Sequence, residues 1–172
     1  MPRGATTPPA ERPSIRGPRP GRRGGDNRAM FTPNQQDVRR FFCTVHRKHL
    51  AGEVLTPIEA QAATWVAEHP EYHADLADEA AALARTYDGS DGRENPFLHL
   101  AMHLSVTEQT GIDQPTGIRQ AVDLLAARRG SLHAAHHEVM EALGRMIWES
   151  QRSGRPPDGH AYLDAVRRAA TR

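Results

Sequence analysis

His99 and His103 stand four residues apart in Pro96-Phe-Leu-His-Leu-Ala-Met-His-Leu-Ser-Val-Thr107, and no charged residue falls between Pro96 and Glu108. That spacing places both imidazoles on one side of a helix. A helix that is apolar on every side is expected to be buried, and buried polar rings need partners. Two such rings can share a metal, or each can bond a carboxylate or a carbonyl. His133, His137 and Glu141 repeat the spacing as a ladder that drifts by about 80° around its helix, narrow enough to face one site. The apolar face of that helix centres on Leu132, Val139, Leu143 and Ile147. The ladder lies on its shoulder and His136 nearer its middle, so periodicity alone does not choose between His136 and His137. A third pair, His69 and His73, straddles the start of another helix in His69-Pro-Glu-Tyr-His73. His46 and His49 flank Arg47-Lys48, and His160 follows a Pro/Gly-rich turn.

Three histidine pairs, one with a carboxylate in register, point to a divalent transition metal. The candidate ligands are His99, His103, His133, His137 and Glu141, with His69 and His73 completing the set. Imidazole suits iron, zinc, copper and nickel, and we expect iron first and zinc next. A catalytic zinc ion uses three protein ligands, so this set suits one or two ions, with Glu141 able to bridge a pair. The carboxylate-rich di-iron bundles need Glu-x-x-His, and no glutamate here has a histidine three residues later. The histidine-rich di-iron bundle of the hemerythrins is similar in type, with redox or oxygen chemistry, but not in sequence. His137-Glu-Val-Met-Glu141 lacks the final histidine of a metalloprotease helix. No phosphate-binding glycine loop and no Gly-x-Ser-x-Gly elbow occur. The competing reading is a non-enzymatic module for a protein or RNA partner. Its histidines would be structural, bonded to Glu68, Glu108 or backbone. A pH-responsive switch is a third.

The elements that must carry these residues are helices. Strand signals are poor: Val and Ile are scarce and no run alternates. Thr32-Pro33 is expected to start a first helix ending near Gly52, with an apolar stripe of Val38, Phe41, Phe42 and Val45. Thr56-Pro-Ile-Glu59 is a capping box with proline at the first helical position. Pro70 disfavours helical geometry at His69, so the second helix ends near Glu68 and a third runs to about Ala84. Residues 86–95 read as loop. Asn95-Pro96 opens a fourth helix stopped by Gly111. A fifth covers 117–129, a sixth runs from the Ser131 cap to about Gln151, and a short last one covers about 159–170. The expected fold is an all-α compact bundle of six to seven helices.

Residues 1–29 differ in kind. They hold six prolines, five glycines and seven arginines against Glu11 and Asp26, so this stretch carries about +5 and the rest of the chain about −4. Such composition cannot offset its ordering entropy. We expect a disordered Pro/Gly/Arg-rich extension over 1–29, able at most to touch nucleic acid weakly, and a single helical domain over 30–172. Arg22-Arg23 has no apolar run after it, so a twin-arginine leader is not expected. The single cysteine, Cys43, permits no intramolecular disulfide and fits a reducing, cytoplasmic setting. No apolar run is long enough for a membrane span. No clear nucleic-acid motif is present, and a homodimer is compatible with an exposed Trp148.

Several segments together resemble a known family. They are Met30-Phe-x-Pro33, Gly52-Glu-x-Leu-Thr-Pro-x-Glu59, Glu68-His-Pro-Glu-Tyr-His73, Asn95-Pro-Phe-Leu-His-Leu100 and His103-Leu-x-x-x-Glu-Gln109. Asp113-Gln-Pro115, His133-x-x-x-His137-x-x-x-Glu141 and Trp148-x-x-Gln-Arg-x-Gly-x-Pro-Pro157 complete the pattern. Over about residues 30–170 the chain is similar to the bacterial family 1841 among the domains of unknown function. The resemblance implies no activity. It implies that His69, His73, His99, His103, His133 and His137, with the carboxylates Glu108 and Glu141, are the family's pattern, and that His136 departs from it. It therefore favours the 133/137/141 ladder, and it begins at Met30, as expected if 1–29 is an extension.

Overall fold

The computed structural model describes residues 34–88 and 92–172. The basic stretch 1–29 and the proposed Thr32-Pro33 helix start lie outside them. Among the described residues there are eight α-helices and no strand: α1 (Gln35–Ala51), α2 (Pro57–Ala67), α3 (His73–Ala77), α4 (Glu79–Ala84), α5 (Pro96–Ile112), α6 (Ile118–Arg129), α7 (Leu132–Ser153) and α8 (Gly159–Thr171). A 3-10 turn, Pro70–Tyr72, joins α2 to α3. The all-α expectation holds.

The ends follow local chemistry. Thr56 and Glu59 form the capping box of α2, Asn95 accepts from Phe97 and Leu98 at the start of α5, and Ser131 caps α7. Each cap satisfies amide donors that lack an intrahelical acceptor. Gly52, Gly130 and Gly154 close α1, α6 and α7 with positive φ, a geometry that a β-carbon disfavours.

Three expectations need correction. α1 is capped by Asn34, whose side chain accepts from Asp37 N, so the described helix begins at Gln35. α5 runs through Gly111 to Ile112 and ends where Asp113 turns left-handed. The expected third helix is divided: Asp78 leaves helical geometry, and its carboxylate accepts from Ala81 N at 3.0 Å to cap α4. A short acidic side chain competes with the helix ladder in this way. The break lets Leu76 and Ala82 both reach the core. Arg39 of α1 then donates to Ala82 O at 2.9 Å and Arg85 O at 2.8 Å, satisfying carbonyls at the end of α4.

Two apolar cores result. Phe42, Val45, Trp65, Val66, Leu76, Phe97 and Leu100 belong to the first, built by α1–α5. Val106, Ile118, Leu125, Val139, Leu143 and Val166 belong to the second, built by α5–α8. α5 contributes to both. It is not buried all round, since Leu98 and Ile112 are exposed. On α7, Val139 and Leu143 are buried whereas Leu132 and Ile147 at the two ends of the expected stripe face solvent. No helix among the described residues is long and apolar enough to cross a membrane.

A candidate metal centre of clustered imidazoles

Pro70 sets the first ligand position. The residue before a proline is pushed out of helical geometry, and His69 has φ −127° and ψ 65°. Its side chain turns into the bundle and is fully buried. There it meets α5 and α7. His69 Nε2 lies 3.0 Å from His99 Nε2 and 3.1 Å from His133 Nε2. His99 Nε2 lies 3.2 Å from both His103 Nε2 and His137 Nε2. Five imidazoles thus aim the same ring nitrogen at one region. The nitrogens of His69, His99, His103 and His137 lie within 4.8 Å of one another. His133 joins them through His69.

The opposite ring nitrogens of His69, His99 and His103 have partners within hydrogen-bond distance. His69 Nδ1 is 2.8 Å from Trp65 O, a backbone acceptor. His99 Nδ1 is 2.8 Å from Glu94 Oε1, and Glu94 also accepts from Tyr72 Oη at 2.9 Å. His133 Nδ1 is 3.8 Å from Glu68 Oε2. His103 Nδ1 is 3.3 Å from His136 Nδ1, a pair that a single proton satisfies. An imidazole whose Nδ1 donates to an oxygen has, when neutral, a bare lone pair on Nε2. The carbonyl behind His69 and the carboxylate behind His99 fix tautomer and orientation as they do around a metal.

Aromatic rings wall the cluster. Trp65 stacks on His103 at 4.2 Å between centroids and lies at the same distance from His136. Its Nε1 donates to Thr107 Oγ1 at 2.9 Å. Tyr72 stacks on His69 at 5.3 Å. Burial is the first cause that lowers the basicity of these rings, and neighbouring imidazoles add to it: His103 is pushed down to about 2 and His136 to about 4. His137 is lowered for the same reasons. His69 is also lowered by burial, against its bond to Trp65 O. For Glu94, burial acts upward, but the bonds from His99 and Tyr72 outweigh it and hold the carboxyl below its ordinary value. The lowered basicity of His69, His103 and His137 favours the neutral imidazole that a metal ion needs as ligand.

Not all expected residues converge. His73 turns away, with Nε2 2.9 Å from Val66 O and its ring 4.8 Å from that of His46. Glu141 is exposed and stands at the rim of a solvent-open cavity with Glu94, His99 and His137. Glu108 is exposed. His137 points into the cluster, and His136 sits behind it against Trp65 and His103. Nothing in the sequence pattern marks Glu94, Trp65 or Tyr72 as part of the site. Glu94 sits in an irregular loop, where no periodicity shows which way it points. Glu68 appeared there only as an acceptor for structural histidines.

A helical bundle with a buried, carboxylate-backed cluster of imidazoles is the class of protein that fold and site define. The chain belongs to the family described as Domain of unknown function (DUF1841), whose model matches residues 34–168. No curated protein and no solved structure matches it.

Proposed function

We propose that this chain is a transition-metal protein whose ion is held by Nε2 of His69, His99, His103 and His137, with His133 as the fifth imidazole. One observation carries the reading. His69 and His99 both spend Nδ1 on an oxygen acceptor, yet their Nε2 atoms lie 3.0 Å apart. In these tautomers two neutral rings cannot donate to one another, so either a metal ion or an added proton must lie between the lone pairs, and five rings converging on one region favour the metal. At metal–nitrogen bonds of about 2.1 Å, adjacent ligands stand about 3.0 Å apart at a right angle and about 3.4 Å at the tetrahedral angle. The four shortest spacings, 3.0–3.2 Å, fall towards the right-angle end, and the other pairs among His69, His99, His103 and His137 lie within 4.8 Å. More than four imidazoles at such angles favour iron, with five or six ligands, over tetrahedral zinc.

The metal would supply Lewis-acid or redox chemistry when bound. The chain's residues do the rest. Glu94 and the Trp65 carbonyl hold two rings in orientation, Trp65 and Tyr72 exclude water from two sides, and Glu141 faces the open side. A metal would also tie α2 of the first core to α7 of the second. X-ray absorption on iron-reconstituted protein tests the assignment. A nitrogen/oxygen shell near 2.1 Å with imidazole outer scattering from four or five rings is expected, and a shell without imidazole scattering would contradict it. Persistence of the folded cluster with no metal uptake under anaerobic iron(II) would instead favour structural histidines sharing protons.

A further inference from the structure

We propose that the cavity bounded by Glu94, His99, Met102, His137, Met140 and Glu141 is the exchange face of the metal centre, and that it admits small uncharged ligands while turning anions away. The inference rests on the metal reading above. The cavity measures about 320 Å³ and opens to solvent. Of the five clustered imidazoles, His99 and His137 line it, whereas His69 and His103 are fully buried. A second cavity, of about 450 Å³, reaches His136 and Trp65. Its lining includes none of the five clustered imidazoles, and the Trp65 indole that lines it is stacked 4.2 Å from the His103 ring. Of these two cavities, the one lined by His99 and His137 gives a ligand an approach to the clustered rings; His133, whose side chain is 30% exposed, lines neither.

The lining decides what can approach. Among the described residues its charged side chains are the carboxylates of Glu94 and Glu141, and no lysine or arginine lines it. Glu94 accepts from Tyr72 and is bonded to His99 Nδ1, which holds its carboxylate at the mouth. Two negative charges at the mouth lower the local concentration of anions. Behind them the thioethers of Met102 and Met140 present soft, apolar walls that suit water or a diatomic gas better than a hydrated ion.

The test uses the full chain loaded with cobalt(II), whose visible spectrum reports its ligands. Cobalt is counted per chain in every sample. Nitric oxide is the neutral probe and azide the anionic one. Nitric oxide should change the cobalt spectrum and azide should bind weakly. Glu141→Gln should keep its cobalt and tighten azide binding about threefold or more at low salt, an effect that high salt reduces. Met140→Trp should block both probes with cobalt retained. A centre that keeps cobalt but prefers azide overturns the proposal and leaves the metal reading standing. So does Glu141→Gln with unchanged azide binding, and so does loss of cobalt from Glu141→Gln, which would make Glu141 a ligand. Failure of the wild-type chain to take up any cobalt overturns both readings.

Discussion

His69 and His99 face one another through Nε2 atoms 3.0 Å apart, although they come from different elements thirty residues apart in sequence. The first is delivered by a proline-terminated helix end and the second by the first turn of α5. Removing either ring takes away the centre of the cluster. His99→Ala and His69→Ala should each abolish stoichiometric metal binding, measured by elemental analysis after gel filtration. His73→Ala provides the contrast. It removes a bond to Val66 O and a ring contact with His46, so about 1 kcal/mol of stability should go while metal stays. Equal metal loss in all three would show that the folding of α3, and not ligation, governs uptake.

Glu94 tests the support behind the ligands. Glu94→Gln keeps an oxygen acceptor for His99 but removes the charge that favours a strongly donating ring. Metal affinity should fall about tenfold or more, read by competition with a chromophoric chelator. Circular dichroism of the variant should be unchanged. An unaltered affinity would mean that the Glu94–His99 bond plays no part in holding the ion.

Acid should act on the metal-free protein in a defined direction. His103 and His136 are held at about 2 and about 4 in the fold by burial and neighbouring imidazoles, against about 6.5 when unfolded. The unfolded chain therefore takes up protons that the folded one refuses. Stability is flat above pH 6.5 with respect to these rings and falls as the pH drops below it, by up to about 1.4 kcal/mol per pH unit for each. The Tm of chelator-treated protein should decline between pH 6.5 and 4.5. A Tm constant across that window would contradict neutral, buried rings.

A cap far from the cluster serves as a control on stability. Thr56→Ala removes the acceptor for Glu59 N and should cost about 1 kcal/mol in urea unfolding, with metal content untouched.

Much of this fold is written in local signals. The Thr56/Glu59 box, the Asn95 and Ser131 caps and the closing glycines set most helix ends within a residue or two. Asp78 shows where such reading stops. The same residue is a tolerable helix interior or a good cap, and only the burial of Leu76 and Ala82 on α1 decides between them. In the site, spacing brought His99 to His103 and His133 to His137, because the helix period carries that information. It could not bring His69 to His99, which depends on how α2 packs across α5. Nor could it separate His136 from His137. Both lie near the apolar face of α7, and ring contact with Trp65 and stacking on His103 take the first and leave the second for the cluster. Glu94 was hidden for a related reason: a loop carboxylate has no period, and its role appears only once Tyr72 and His99 are placed on either side of it.

The most direct test is elemental analysis of the untagged full-length protein, with metal counted per chain beside His99→Ala prepared identically. Near-stoichiometric transition metal in the first, iron foremost, and almost none in the second is the expected result. Wild-type protein that carries no metal and takes up neither iron(II) nor zinc under anaerobic conditions would contradict a metal centre. The five converging imidazoles would then be a proton-sharing core.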